Sequence, residues 1–518
     1  MDNTPGPAAP APSTVDHRPD PGSRLVLVTG ATGYIGSRLV PALLEAGWQV
    51  RVLARSPEKL EGRPWADDVE VTAGDATSPD DLEQALDGVD VAYYLLHSMD
   101  GEGDFVDRER SMAQTFADAC DAAEVDRIVY LGGMHPHNEP LSTHLYSRKA
   151  VGDVFLAART PAAVLQAAVI IGAGSASFEM LRHLTDRLPV MLAPRWLDNK
   201  IQPIAVADVL HYLVGAASLP AELNRSFDIG GDEVLRFRDM LVRYGQVAGL
   251  RRRRIGLVPV MTPWLASHWV GVVTPVPSGV AKPLVGSLVH EVVVKDGREV
   301  EQYTGPPPQG HTPFDDAVAA ALERADDIEG AHHERTGGNP SDALPGDPDW
   351  VGRQPRTEVW RSIVDAPADA VWAVVESLGG STGWFVPRSV WSVRGRVDTL
   401  LGGPGHEPLR ESATLRQGER VDSWRVEAVS QDDGARSVRL LSLMALPGTA
   451  RLELRVTRSP HDAGQSLLEQ TVTFIPRGLG GEAYWWGMHP THRRVFTALH
   501  TGIVDQAVSA EGSSGERA

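Results

Sequence analysis

A run of four apolar residues, Leu25 to Val28, leads into Thr29-Gly30-Ala31-Thr32-Gly33-Tyr34-Ile35-Gly36, and residues 37–46 have helical character. An unbroken apolar run of this kind is the mark of a parallel strand buried on both faces. The turn after it must bring backbone N–H groups up to a phosphate, and a side chain at Gly30 or Gly33 would block that approach. The helix that follows aims its N-terminus, the positive end of its dipole, at the same place. Glycines between a strand and a helix therefore point to a dinucleotide site over Gly30, Thr32, Gly33, Tyr34, Ile35 and Gly36. A structural turn without a ligand is the alternative.

The next strand, residues 49–55, ends in Ala54 and Arg55, with Ser56 and Lys59 just beyond. A carboxylate about 20 positions after the glycines would bind the ribose 2′-hydroxyl of NAD. Cations at this place suit a 2′-phosphate, so Arg55 and Lys59 favour NADP, with NAD still possible; as solvated surface cations they would carry no such meaning. A third strand over residues 69–75 ends in Asp75, where a carboxylate can accept from an adenine amino group or simply begin a turn. Residues 79–86 form a short helix. A fourth strand, residues 89–98, runs through Leu96 and His97, and a fifth covers residues 127–133 after a helix at 105–123. Strands alternating with helices at this spacing predict βαβ units and a doubly wound parallel α/β sheet. Ligands in such sheets bind beyond the carboxyl ends of the strands, which gathers Gly30, Gly36, Arg55, Asp75, Leu96, His97 and Gly132 around one crevice.

Thr29 to Gly36, then Arg55, Gly74-Asp75 and Tyr130-Leu131-Gly132-Gly133, resemble the atypical and extended short-chain dehydrogenase/reductases, and among them the NmrA-like proteins. Residues 168–174 and 202–209 resemble later, substrate-proximal segments of the same superfamily. The resemblance covers residues 23–325 and implies a Rossmann domain that binds NADP or NAD. Active members of the family carry a Ser or Thr after the fifth strand, then Tyr-x-x-x-Lys, in which the tyrosine is the general acid/base and the lysine lowers its pKa and holds the nicotinamide ribose. Here the strand ends in Gly132-Gly133-Met134-His135, and downstream stands Tyr146-Ser147-Arg148-Lys149, with two residues between Tyr and Lys. Tyr146 and Lys149 are the candidate pair, on a helix over residues 142–155 whose lysine would otherwise be solvated. His97, His135 and His144 are substitutes for proton transfer, since histidine titrates near neutrality.

Residues 178–294 should build the substrate side of the crevice. Within them, 189–196 is apolar and aromatic, with Arg195 able to clamp an anion, and Arg251 to Arg254 reads as a local surface charge run. A last helix is expected at 312–325. Residues 326–354 are poor in apolar side chains and read as a linker.

A second domain is expected over residues 355–508. A strand at 357–364, a helix opened by Ala366-Pro367-Ala368-Asp369, strand-like runs at 421–429, 437–444, 450–456 and 466–475, and a closing helix at 481–508 broken only near Pro490 suggest an α+β helix-grip domain. The phrase Ile363-Val364-Asp365-Ala366-Pro367-Ala368-Asp369-Ala370-Val371-Trp372 resembles the START/polyketide-cyclase superfamily, which binds hydrophobic ligands in a cavity. More closely, residues 360–486 resemble an uncharacterised domain that follows NmrA-like domains in bacterial proteins. Trp350, Trp360, Trp372, Trp384, Trp391, Trp424, Trp485 and Trp486 either line such a cavity or fill a core. His489, His492 and His500 share the closing helix without an acidic partner, so no metal site is expected.

Composition narrows the partners. A chain of 518 residues is too long for one core, and its formal charge of −19 disfavours nucleic acid or an anionic membrane. A single cysteine, Cys120, excludes an internal disulfide framework and fits a reducing cytoplasm, where it reads as a small packed residue. No stretch is apolar for long enough to span a membrane. Residues 1–22 and 509–518 read as disordered tails. A small-molecule substrate, or a hydrophobic ligand of the second domain, is the expected partner. The whole reads as an oxidoreductase that moves a hydride to or from an unidentified carbonyl, alcohol or enone. A non-catalytic NADP sensor and a carrier of hydrophobic molecules are the alternatives.

Overall fold

The computed structural model describes residues 24–323 apart from 62, 97–104, 137–138, 259–261, 263–265, 267–269, 271–272 and 296, and residues 355–515 apart from 380–382, 386–413, 433, 460–461, 463 and 477. His97, Trp350, Trp391, residues 1–22 and the segment 326–354 lie outside the described residues. The chain divides into two compact units whose main boundary falls between residues 352 and 353.

The first unit is built on β1 (Leu25–Thr29), α1 (Gly36–Glu45), β2 (Gln49–Ala54), β3 (Glu70–Ala73), α2 (Pro79–Leu86), β4 (Val91–Tyr94), α3 (Phe105–Ala122), β5 (Arg127–Gly133), α4 (Thr143–Ala157) and β6 (Ala162–Ala167). Seven strands pair in the order Arg225–Ile229, β6, β5, β4, β1, β2, β3. Every pairing is parallel. The central strands β1, β4 and β5 are largely apolar because both faces of the sheet are covered there, whereas the edge strand β3 is mostly exposed. Val26 and Val28 of β1 and Val50 and Val52 of β2 enter a core with Leu39 and Leu43 of α1. Leu27 and Leu53 turn the other way, into a core with Leu82 of α2, Phe116 of α3 and Phe155 of α4. The result is a Rossmann-like, doubly wound α/β unit. Cys120 is fully buried on α3 within the second core. Strand order reverses between β1 and β4, which places the ligand crevice there.

The second unit is an antiparallel sheet in the order Arg356–Val364, Ser466–Pro476, Gly448–Arg458, Ala435–Ser442, Trp424–Asp432, Arg420–Val421. Its core takes Val371 and Trp372 from the helix Ala368–Glu376, together with Leu499, Ile503 and Ala507 from the closing helix. That helix runs from Gly478 through Pro490 to Gly515. The expected tail at 509–518 is therefore shortened: once Ile503 and Ala507 anchor the preceding turns, adding further helical residues needs no new nucleation. Trp372, Trp384 and Trp424 are core residues, and Trp485 stacks on Phe474 at 5.7 Å, while Trp486 is exposed. No helix of the described residues is long and apolar enough to cross a membrane.

Candidate functional site

The turn after β1 is held by its own backbone. Gly33 N–H donates to the Gly30 carbonyl at 2.9 Å, and Ser37 N–H to the Gly33 carbonyl at 3.0 Å. Gly30 has φ +74°, and a Cβ there would lie 2.8 Å from the Leu95 carbonyl oxygen on the neighbouring chain segment. Gly36 is glycine for another reason, because its Cβ would lie 2.2 Å from the Gly30 carbonyl oxygen and prevent the turn from closing. Helix α1 starts at that point with no side-chain cap and no acidic residue in its first turn. The Ser37, Arg38 and Leu39 N–H groups are taken by the Gly33 and Ile35 carbonyls, so what α1 offers an anion is the positive end of its dipole, with no carboxylate to oppose it.

Beside the turn lies a cleft of about 490 Å³, lined by Gly30, Thr32, Arg55, Lys59, Asp75 and Leu96, all of which the sequence singled out. The volume suits a cofactor. Arg55 and Lys59 are exposed, and neither forms an ion pair with a described residue. Thr77 donates to Asp75 Oδ1 through its backbone N–H and its hydroxyl, each at 2.9 Å. The Thr77 backbone bond, foremost, with its hydroxyl bond and the Arg55 charge adding, holds the Asp75 carboxyl below the usual range against the opposing effect of burial. A helix N-terminus without a carboxylate, two cations and an ionised carboxylate are groups of the kinds that a dinucleotide's pyrophosphate, 2′-phosphate and adenine require.

Other predicted positions fall elsewhere. Tyr34 turns its ring under the Arg38 guanidinium, 4.1 Å from the ring centre, and Ile35 packs against the core, so their side chains serve the fold. Tyr146 is 55% exposed on α4, and Lys149 is ion-paired with Asp153 one turn on. Neither lines the cleft. The structure does not bring Tyr146 and Lys149 to this cleft: α4 buries Leu145, Ser147, Arg148, Val151 and Phe155, and this phase turns Tyr146 outward. His144, by contrast, lines a chamber at the ends of β5 and β6 with Gly133 and Ala167. His135 is buried, with its ring nitrogens within 3.3 Å of the Pro136 carbonyl and of Gln166 Nε2. Arg195 is exposed at the start of a short turn. The run at 251–254 is not wholly on the surface, since Arg253 is buried and donates to the Thr185 and Arg251 carbonyls. His489 pairs with Glu358, His492 with the Tyr484 hydroxyl and His500 with Ser362. Among the described residues no cluster of His, Cys, Asp or Glu is arranged to hold a metal ion.

The cleft also takes in Ser56, Thr77 and Met112. Thr77 could have been read from the Asp-x-Thr turn it makes with Asp75. Met112 arrives from α3, and no local signal announces it.

A family profile described as NAD(P)H-binding matches residues 30–170. A second, described as a protein of unknown function (DUF2867), matches residues 350–499. Ceramide reductase of Caulobacter vibrioides is 32% identical over 171 residues, 32% of this chain and 53% of that protein. The (4-alkanoyl-5-oxo-2,5-dihydrofuran-3-yl)methyl phosphate reductase of Streptomyces griseus is 28% identical over 257 residues, 47% of this chain and 82% of that protein. The chain spans about half the length, or less, of the first curated relatives it matches. Among solved structures, Citrobacter sp. triphenylmethane reductase complexed with NADP(H) is similar at 17% identity with a TM-score of 0.46, covering 58% of this chain and all of that one. The first unit thus carries an NAD(P)-binding Rossmann fold shared with proteins named as reductases.

Proposed function

We propose that the chain is an NADP-dependent oxidoreductase acting on a small-molecule carbonyl, alcohol or enone. The observation that carries this reading is the end of β2, where Arg55, Ser56 and Lys59 line the cleft and no carboxylate takes the place that an NAD site would give one. A guanidinium and an ammonium there suit the 2′-phosphate that distinguishes NADP, through charge-assisted hydrogen bonds. The uncapped start of α1 suits the pyrophosphate, and Asp75 suits the adenine amino group. The bound nicotinamide would supply the hydride, and the protein's part is to orient it and exclude side reactions. The names of the Caulobacter and Streptomyces relatives, both reductases, support a reductive direction. Titration with NADPH, followed by nicotinamide fluorescence, is the test. Saturable binding is expected, and no saturation by about 1 mM, the upper end of ordinary KM values, contradicts the reading.

One observation favours a second reading, a cytoplasmic NADP-sensing protein without turnover: Tyr146 is exposed and Lys149 is ion-paired with Asp153. The two readings separate on whether bound NADPH is ever oxidised by an added carbonyl compound. For the second unit, a long helix laid on an antiparallel sheet supports a helix-grip domain of the START/polyketide-cyclase kind.

A further inference from the structure

The C-terminal edge of the sheet carries a second chamber, away from the Arg55 end of the cleft. A dinucleotide laid across the switch between β1 and β4 places one half over β1, β2 and β3 and the other over β4, β5 and β6. The Arg55 cleft belongs to the first half. At the ends of β5 and β6, in the path of the second half, Gly133, His144, Ala167, Met180 and Phe237 line a chamber of about 80 Å³. His144 is the one ionisable group among its described lining residues. Met180, Phe237 and Leu288 also line an adjoining chamber of about 40 Å³ whose walls are otherwise residues such as Met191 and Leu241. Its described walls expose no polar surface. Methionine is unbranched and re-packs readily, so Met180 and Met191 let these volumes widen around a guest.

We infer that His144 donates the hydrogen bond to the oxygen of a carbonyl substrate, that Arg148 positions it, and that the apolar remainder of an elongated substrate fills the chamber beyond; the catalytic part rests on the cleft being an NADP site. His144 and Arg148 stand one helical turn apart on α4, a spacing that puts both on one face. Arg148 is buried, and its Cγ would lie 3.8 Å from a Cβ built on Gly133, so its stem lies over the end of β5. The Tyr130 hydroxyl donates to the Arg148 carbonyl at 3.4 Å and ties this turn of the helix to the sheet. Burial, with the Arg148 charge adding, pushes the His144 imidazole down to about 3, so the ring is neutral at physiological pH. A neutral imidazole offers one N–H donor, and such a group polarises a carbonyl without surrendering a full proton. In the reduction, bound NADPH would supply the carbonyl carbon with a hydride and its two electrons. The π pair of the C=O bond moves to the oxygen, and that oxygen gains one proton from water while His144 holds it.

The chamber is tested first without cofactor, by calorimetric titration of the full chain with 2-pentanone, 2-heptanone and 2-nonanone. Affinity is expected to rise about fourfold per methylene. A flat series, or no binding by any of the three, overturns the apolar site. With NADPH and 2-nonanone, His144→Phe is expected to lower kcat on the order of a hundredfold, as loss of an oxyanion donor does. His144→Gln, which keeps a donor, should recover most of that loss, with the NADPH dissociation constant unchanged in both variants. Arg148→Met should lower kcat with KM for the ketone unchanged, and Arg148→Lys should restore it. A His144→Phe variant that turns over like the wild type, or a wild type that binds NADPH but oxidises it with none of the ketones, overturns the role of His144. A wild type that binds no NADPH refutes the cofactor reading instead, and the ketone series then still decides the chamber.

Discussion

Arg55 and Asp75 line one cleft from the ends of neighbouring parallel strands, β2 and β3, whose Ala54 and Ala73 are in register. Their roles are separable. The carboxylate suits the adenosine, which NADPH and NADH share, and the guanidinium suits the phosphate that only NADPH carries. Asp75→Asn is therefore predicted to weaken both dinucleotides by a similar amount, about 1–2 kcal/mol, with their ratio unchanged. Calorimetric titration of each checks this, and a selective loss of NADPH would move Asp75 to the phosphate.

The glycines of the turn differ in what they protect. Gly30 carries a positive φ against Leu95, and Gly36 allows contact with the Gly30 carbonyl. Alanine at either position is predicted to destabilise the first unit by more than about 1 kcal/mol. Gly33 is exposed, and its Cβ would lie 3.2 Å from the nearest atom, the Gly30 carbonyl oxygen. Gly33→Ala should cost less in urea unfolding and show itself chiefly as weaker dinucleotide binding. Equal loss of stability from all three would contradict this division.

Tyr146 is exposed on α4, Lys149 is ion-paired with Asp153, and neither lines the cleft or the chamber beside His144. Tyr146→Phe and Lys149→Ala are predicted to leave turnover within about twofold. The loss of the exposed Lys149–Asp153 pair should lower stability by only about 0.3–0.5 kcal/mol. Steady-state rates and urea midpoints of the two variants test this, and a large fall in kcat for either would return it to the active site.

Burial, with the Asp121 carboxylate adding, pushes the Cys120 thiol well above its ordinary value. The thiolate is the reactive form. Iodoacetamide is predicted to label Cys120 slowly in the native protein and rapidly in urea. Fast native labelling would mean that α3 opens far more often than its packing implies.

Much of the first unit was legible because strands buried on both faces need apolar runs, as Leu25 to Val28 and Val91 to Tyr94 supply. The cofactor end of the cleft was legible too, since the chain after β1, β2 and β3 supplies it at short range. The phase of α4 was not. Its buried face includes Ser147 and Arg148, and its exposed face includes Tyr146, so hydrophobic periodicity gave no direction. The burial of Arg253 depends on the Thr185 carbonyl, 68 residues away in sequence, which no local pattern can announce.

The most direct test is the ratio of NADPH to NADH dissociation constants, measured by calorimetry on the full chain and on Arg55→Glu. The account predicts that the wild type prefers NADPH and that Arg55→Glu removes about 1–3 kcal/mol of that preference, the size of a charge-assisted hydrogen bond. Equal affinities in the wild type, or a ratio that Arg55→Glu leaves unchanged, would contradict it.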